Sequence, residues 1–187
     1  VSGMTLLVND RAQGLERVTA PSKARSPVAF ADFENRAVVE LVARGVVFRN
    51  RGLGVFDSPK TPLDLKSVAA QCVADFDADG QMDLAVITEN GSLELLRNTT
   101  DGKNWFRVGI LGVKNLKLAP GSEIEVKAGV RYQKQIYRGM PLLFGLGTYA
   151  TADVVRITWP NGLIQNETQQ ITGQAQVYKE AQRLSGS

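Results

Sequence analysis

A pattern that occurs twice, 43 residues apart, is the feature that most restricts how this chain can fold. Residues 30–41 read FADFENRAVVEL and residues 73–84 read VADFDADGQMDL. Each copy is followed by an apolar segment that ends in Arg-Asn, and a third copy without the acidic part opens the chain at residues 6–9. A repeat of this length made of short strands is typical of β-propeller blades and related arrays.

The second copy contains an acidic loop with the composition of a calcium site. Ca²⁺ prefers six to eight oxygen ligands at roughly 2.3–2.6 Å, and one short loop can supply most of them. Four carboxylates this close would repel each other without a cation, which makes the alternative, a polar turn without metal, less favourable. The predicted ligands are the side chains of Asp75, Asp77, Asp79 and Asp83 and the backbone carbonyl of Gln81.

The residues that follow the loop distinguish it from an EF-hand. An EF-hand loop ends with glutamate at its twelfth position and leads into a helix. Here the twelfth position is Val86, within the apolar residues 84–87 that are typical of a strand. We therefore predict a strand–loop–strand metal site in which Gly80 allows the sharp turn.

Length, charge and cysteine content limit the domain organisation. The chain has 187 residues, 43% of them hydrophobic, enough for one large domain or two small ones. Residues 1–102 carry 11 basic and 14 acidic residues, whereas residues 103–187 carry 11 and 5, which predicts a domain boundary near residue 102. No apolar run is long enough for a transmembrane segment. The single cysteine, Cys72, is expected to be a buried small hydrophobic residue.

From Trp105 onward, short segments of alternating apolar and polar residues are separated by Gly and Pro. This alternation is typical of β-strands, and residues 160–162 (Pro-Asn-Gly) are expected to form a hairpin turn. The sequence therefore predicts an all-β second domain of about six to eight strands, as a sandwich or small barrel. The expected strands include residues 106–110, 124–128, 155–159, 163–168 and 174–180.

The motif Asp-x-Asp-x-Asp-Gly-x-x-Asp makes residues 4–100 resemble the FG-GAP/VCBS repeats, the calcium-loop blades of integrin-type β-propellers. The resemblance implies a partial propeller-like architecture and a Ca²⁺ cofactor. The first copy departs from the motif, because Arg36 stands where the second copy has its third aspartate. We expect the guanidinium of Arg36 to take the place of the ion by pairing with Asp32 or Glu40.

Three blocks in the second half carry a further resemblance: residues 120–126 (PGSEIEV), 144–147 (FGLG) and 155–162 (VRITWPNG). They resemble the ASPIC/UnbV domain, named for cartilage acidic protein and related bacterial proteins, over roughly residues 104–170. That domain commonly follows VCBS repeats and has no settled biochemical activity. The resemblance thus implies FG-GAP/VCBS-type repeats over residues 1–102 and an ASPIC/UnbV-like domain over residues 103–187.

Catalysis is not expected, because a chain without histidine cannot form a Ser/His or Cys/His pair and no nucleotide-binding motif is present. A basic hairpin could instead bind a polyanion such as a sulfated glycan, although a solvated sheet face is the simpler interpretation. No nucleic-acid motif is present. The residues of this hairpin are Lys127, Arg131, Lys134 and Arg138, with Tyr132 and Tyr137 between them.

The sequence as a whole predicts a non-catalytic, calcium-binding interaction or adhesion module with a protein or glycan partner. The alternative is a carbohydrate-binding or carbohydrate-processing accessory domain. A secreted, periplasmic or cell-surface location is expected, because extracellular modules bind Ca²⁺ where it is abundant. Asn90, Asn98 and Asn166 lie in glycosylation motifs that apply only to a secreted eukaryotic chain. Two or three blades cannot close a propeller, so we expect either that the chain is part of a longer protein or that the blades form an open sheet against the second domain.

Overall fold

A computed structural model of the protein describes residues 5–10, 14–21, 24, 26–52, 54–57 and 67–181. Across these residues the secondary structure consists of strands without a helix, which confirms the predicted all-β class. In particular, the described residues contain no helix that could span a membrane. The chain forms two compact units: unit 1 comprises Val1–Phe33 and Val38–Thr100, and unit 2 comprises Glu34–Ala37 and Asp101–Ser187.

Unit 1 contains ten described strands. They are β1 Thr5–Asp10, β2 Gly14–Thr19, β3 Val28–Ala31, β4 Glu40–Ala43, β5 Val46–Phe48, β6 Asn50–Gly52, β7 Val55–Phe56, β8 Val68–Ala74, β9 Asp83–Thr88 and β10 Leu93–Leu96. Strands β3–β4–β5 and β8–β9–β10 each form an antiparallel three-stranded meander, while β1 pairs with β2 and β6 pairs with β7.

The two meanders are copies of one repeat in their backbone geometry. The same register occurs where the first two strands meet the loop between them: Ala31 lies opposite Glu40, and Ala74 lies opposite Asp83. Positive φ angles also fall at matching loop positions: Asn35 (51°) and Ala37 (58°) in the first copy, Ala78 (64°) and Gly80 (87°) in the second. Conformations that most residues avoid are thus conserved between the copies although the side chains differ.

Two apolar clusters stabilise unit 1. The first joins the two meanders and contains Ala29, Ala31, Phe33, Val42 and Val47 from one copy and Val68, Val73, Met82, Leu84, Val86 and Leu96 from the other. The second covers the opposite face of the first meander and contains Leu6, Ala24, Leu41, Ala43, Val46, Phe48 and Phe56. Alternate residues of a strand point to opposite faces, so the first meander is covered on both sides.

Cys72 lies on β8 and is exposed, so the prediction that it is buried is wrong. Its neighbours in sequence are apolar, which suggested a core position. The residues of β8 and β9 that fill the shared cluster, such as Val73 and Leu84, occupy the opposite face of the sheet. Cys72 therefore belongs to the face of the second meander that this cluster does not cover.

Unit 2 is a two-sheet β-sandwich. Its strands are β11 Asn104–Leu111, β12 Glu123–Ala128, β13 Arg131–Ile136, β14 Leu142–Gly147, β15 Thr151–Thr158, β16 Ile164–Ile171 and β17 Gln174–Lys179. One sheet has the order β14–β11–β17, with β11 and β17 parallel, and the other has the order β13–β12–β15–β16. The sheets are not closed into a barrel, which decides between the two architectures that the sequence left open.

The sequence blocks that carry the ASPIC/UnbV resemblance contribute to the core between these sheets. Buried residues include Phe144 and Leu146 of the block at residues 144–147 and Val155, Ile157 and Trp159 of the block at residues 155–162. The predicted hairpin turn is confirmed, since the Gly162 N–H donates to the Trp159 carbonyl at 2.8 Å and β16 returns antiparallel to β15. The indole N–H of Trp159 donates to Gln165 Oε1 at 3.2 Å, so the buried ring also has its polar atom paired.

A buried carboxylate, Glu180, connects the loop after β11 to the end of β17. Its Oε2 accepts hydrogen bonds from the backbone N–H groups of Val113, Lys114 and Asn115 at 2.7, 2.8 and 3.0 Å. Its Oε1 accepts from the side-chain amides of Asn115 at 2.7 Å and Asn161 at 3.0 Å. Burial alone would raise the pKa of Glu180, but these hydrogen bonds outweigh it and lower the pKa to about 2.

The Glu180→Gln substitution should lower the free energy of unfolding at pH 7 by about 2–4 kcal/mol, because it replaces an ionised acceptor with an amide that faces three N–H donors. Urea denaturation followed by tryptophan fluorescence measures this change. Glu123→Gln is the matched control, since Glu123 forms only a partly exposed ion pair with Lys134 and should cost less than about 1 kcal/mol. Equal losses for the two variants would contradict the role assigned to Glu180.

The stability difference between the wild type and Glu180→Gln should depend on pH. The pKa of Glu180 is lower in the folded state than in the unfolded state, so its contribution is complete above the unfolded value of 4.5. The contribution should then fall as the pH drops from 4.5 towards about 2. Denaturation curves across this range should converge for the two proteins, and a constant difference would be inconsistent with titration of this carboxylate.

Candidate metal centre

The acidic loop of residues 75–83 connects β8 to β9 in unit 1. The pairing of Ala74 with Asp83 holds the two ends of the loop side by side. Between them the chain turns through positive φ at Ala78 and Gly80. Glycine adopts such a conformation at little cost, whereas Ala78 has a Cβ and is held there by the rest of the loop.

All four aspartates of the loop accept hydrogen bonds from the loop backbone. Asp75 Oδ2 accepts from the Gly80 N–H at 2.9 Å. Asp77 Oδ1 accepts from the Asp79 N–H at 3.2 Å, and Asp79 Oδ1 accepts from the Gln81 N–H at 2.8 Å. Aspartate commonly bonds the N–H two residues further on, and here two such turns in succession bend the backbone around the carboxylates.

Asp83, the last residue of the loop, is buried, and both of its carboxylate oxygens accept hydrogen bonds. Its Oδ2 accepts from the Phe76 N–H at 3.0 Å, and its Oδ1 accepts from the Asn98 N–H at 2.8 Å. The side-chain amide of Asn98 in turn donates to the Phe33 carbonyl at 2.8 Å. Asp83 therefore links its own loop to the end of β10 and, through Asn98, to the first repeat.

The structure brings three of the predicted ligands together. Asp75, Asp77 and Asp83 each offer a carboxylate oxygen, and these oxygens lie within 4.8 Å of one another. Oxygen-only donors of this kind suit a hard cation such as Ca²⁺ better than zinc, which prefers nitrogen and sulfur ligands. Asp79 and Gln81 lie in the same loop but outside this triad, and the side chain of Gln81 accepts a hydrogen bond from the Thr100 hydroxyl at 3.3 Å.

Arg97 is a charged neighbour of the loop whose role the sequence did not reveal. Its Nε forms an ion pair with Asp77 Oδ2, and its NH2 group lies 3.3 Å from Asp79 Oδ2. The side chain is mostly exposed, so these contacts are screened by solvent. The repeated Arg-Asn at the end of each copy was the available signal, because a meander places the end of its third strand beside the loop between the first two.

The first repeat has the same closing hydrogen bond with a different acid. The Phe33 N–H donates to Glu40 Oε2 at 3.0 Å, as the Phe76 N–H does to Asp83 at 3.0 Å. Within the loop, Arg36 forms an ion pair with Glu34 at 2.7 Å. The guanidinium thus neutralises an acid of its own loop, while the expected pairing with Asp32 or Glu40 stays a prediction.

The predicted basic hairpin is formed by β12 and β13, but its charges do not share one face. Arg131 lies opposite Ala128, a core residue, and donates to the Arg36 carbonyl, whereas Lys134 lies opposite Glu125 on the other face. Lys134 also bonds Glu123 at 2.6 Å, and this hydrogen bond raises the pKa of Lys134.

Tyr132, on the same outer face, donates its hydroxyl to Glu125 Oε1 at 2.9 Å, a hydrogen bond that raises the pKa of the tyrosine. Lys127 and Arg138 are exposed, while Tyr137 is buried in the core. Glu123 and Glu125 of β12 thus lie on the outer face together with Lys127 and Lys134, so this face has mixed rather than uniformly positive charge.

Comparison with known proteins identifies one part of the chain. Residues 112–184 match the family described as ASPIC and UnbV, which is less than half of the sequence and extends further towards the C-terminus than the predicted 104–170. No curated protein matches the chain. The comparisons give no support for FG-GAP/VCBS repeats, so that resemblance stays a prediction. The matched segment runs from the loop that Glu180 binds to just beyond Glu180 itself.

Without metal, Asp83→Ala should reduce the free energy of unfolding by roughly 2–4 kcal/mol, because the N–H groups of Phe76 and Asn98 both lose their acceptor. Asp77→Ala is the matched control from the same loop. Its carboxylate is exposed and pairs mainly with Arg97, so the loss should stay below about 1 kcal/mol. Urea denaturation of both variants in EDTA checks the difference, and similar losses would argue against a separate structural role for Asp83.

Proposed function

We propose that residues 75–83 bind one Ca²⁺ ion and that the ion stabilises the repeat region of a non-catalytic interaction module. The observation that carries this proposal is the convergence of Asp75, Asp77 and Asp83 within 4.8 Å on a loop bent around its carboxylates. Asp79 and the Gln81 carbonyl would complete the ligand set. A bound Ca²⁺ would supply charge neutralisation and structural stiffness to this loop.

Stiffening the loop would have consequences beyond it. Asp83 is bonded to Phe76 and Asn98, and Asn98 is bonded to Phe33 in the first repeat. An ion that fixes the position of Asp83 would therefore support the hydrogen bonds by which the two loops are joined. Because an ion bound only by the folded state stabilises it by mass action, Ca²⁺ at about ten times its Kd would add about 1.4 kcal/mol.

The competing charge of Arg97 favours a site of modest affinity. The guanidinium pairs with Asp77 and Asp79, so Ca²⁺ would have to displace or share these contacts. Extracellular calcium modules work with Kd values of about 10⁻⁴–10⁻³ M, a range that suits such a site. We therefore propose an extracytoplasmic location, where a site of this affinity would be occupied.

A role in binding a protein or glycan partner is the proposed activity of the whole chain. Unit 2 would present the binding surface, and its sandwich consists of the residues of the ASPIC and UnbV match together with β11. The full sequence contains no histidine, which fits a protein that binds its partner without transforming it.

Asp77→Ala should abolish the stabilisation of the protein by Ca²⁺, because it removes a triad carboxylate without removing the hydrogen bonds of Asp83. Thermal unfolding with Ca²⁺ and with EDTA, together with calorimetric titration of Ca²⁺, measures the effect. Glu94→Gln is the matched control, since Glu94 is an exposed carboxylate on β10, outside the loop, and the variant should respond like the wild type. A wild-type melting temperature that is the same in Ca²⁺ and in EDTA would refute the site.

Arg97→Gln should increase the affinity for Ca²⁺ by roughly twofold to fivefold, because a partly exposed ion pair contributes up to about 1 kcal/mol against the incoming ion. The control is Arg51→Gln, which removes an exposed arginine that pairs with Asp57 instead. Calcium titrations of the two variants and the wild type compare the Kd values directly. An unchanged or weaker affinity in Arg97→Gln would show that Arg97 does not compete with the ion.

A further inference from the structure

The second meander, β8–β9–β10, has one apolar face exposed to solvent. Leu93 and Leu95 on β10 are 73% and 60% exposed, and Ile87 on β9 is 45% exposed. With Ala70 and Cys72 on β8 and Ala85 on β9 they line a continuous face with a groove across it. Apolar side chains grouped in this way mark interaction surfaces more often than single exposed ones do.

The equivalent face of the first meander is buried. Cys72, Ala85 and Leu95 correspond to Ala29, Val42 and Val47, which belong to the cluster between the two meanders. The loop residue Phe76 shows the same contrast, since it is 46% exposed whereas Phe33 is 8% exposed. The exposed face of the second meander is thus equivalent to the face of the first meander that another repeat covers.

The structure also shows which face of a repeat packs against such a surface. In the second repeat, Leu84, Val86 and Leu96 pack against the first repeat. Their equivalents in the first repeat are Leu41, Ala43 and Phe48, which pack in turn against Leu6 of β1. Each repeat therefore has a front face, typified by Val42, and a back face, typified by Leu41. In both of these contacts between described residues, a back face lies on a front face.

Among the described residues, the back face of the β1–β2 hairpin is exposed. Leu6 corresponds to Val47 and Leu95, and it packs as a front-face residue against the first repeat. Its neighbour Leu7 corresponds to Phe48 and Leu96, and it lies on the opposite side of β1, 57% exposed. Leu15 of β2 is 68% exposed on the same side, because Leu15 pairs with Asn9 and side chains two residues apart share a face.

We propose that a second copy of this chain docks on the exposed face of the second meander through its own β1–β2 hairpin. Leu7 and Leu15 of one copy would cover Cys72, Ala85 and Leu95 of the other, continuing the order of faces already present within the chain. Such contacts are heterologous, since each copy uses two different surfaces, and they generate rings or open chains rather than closed twofold dimers. The proposal does not depend on the calcium site.

Sedimentation and light scattering should show a weight-average mass that rises with concentration over about a hundredfold range. Leu95→Arg and Leu7→Arg should each be monomeric, because each places a charge in one of the two surfaces. A mixture of the two variants should form a one-to-one dimer and nothing larger, since each variant still offers the surface that the other has lost. Leu116→Arg is the control, because Leu116 is exposed on unit 2, and it should associate like the wild type.

The thiol of Cys72 provides an independent readout, because it is the single cysteine of the sequence and lies on the covered surface. Its rate of modification should fall at least about fivefold as the wild type associates and stay constant in Leu7→Arg. Circular dichroism confirms that each variant is folded. A wild type that is monomeric throughout would overturn the proposal. Self-association that persists in Leu7→Arg would also overturn it, because the meander face would then pair with itself.

Discussion

Buried carboxylates that accept backbone N–H groups hold the turns on which both units depend. Glu40 and Asp83 do so at the loop exits of the two repeats, and Glu180 does so for the loop after β11. A buried carboxylate is costly unless its oxygens are hydrogen-bonded, and buried N–H groups are equally costly without an acceptor. Each of these hydrogen bonds therefore satisfies both a buried carboxylate and a buried N–H group. The backbone of each loop is held by these bonds independently of any ligand.

In the acidic loop this arrangement divides the carboxylates by role. Asp83 has both oxygens engaged with backbone N–H groups, whereas Asp77 and Asp79 are directed towards Arg97. Asp77 and Asp79 are thus the carboxylates that would exchange Arg97 for the proposed ion. Because the guanidinium is held at the surface, where solvent screens it, exchange would cost little.

The strands were predictable where alternation of apolar residues is strong, as in β11, β12 and β15, and the repeat was visible from its acidic and aromatic positions. The structural role of Glu180 was not predictable. The backbone N–H groups that donate to it lie 65–67 residues earlier, and the parallel pairing of β11 with β17 brings them close to it. The arrangement of charges on the basic hairpin was only partly predictable. Because side chains alternate between the two faces of a strand, the sequence already places Arg131 and Lys134 on opposite faces. The glutamates that neutralise the outer face belong to the neighbouring strand β12, so their positions depend on how β12 pairs with β13.

The first repeat indicates that closing the loop and binding metal are separable properties. It keeps the hydrogen bond from Phe33 to Glu40 and both positive φ positions, yet it has Arg36, paired with Glu34, in place of the third aspartate. The closing hydrogen bond of the first loop comes from Glu40, whereas Arg36 supplies a positive charge that lowers the repulsion among the acids of that loop. We therefore expect the first repeat to keep its fold without metal, so that the two repeats would differ in their dependence on calcium.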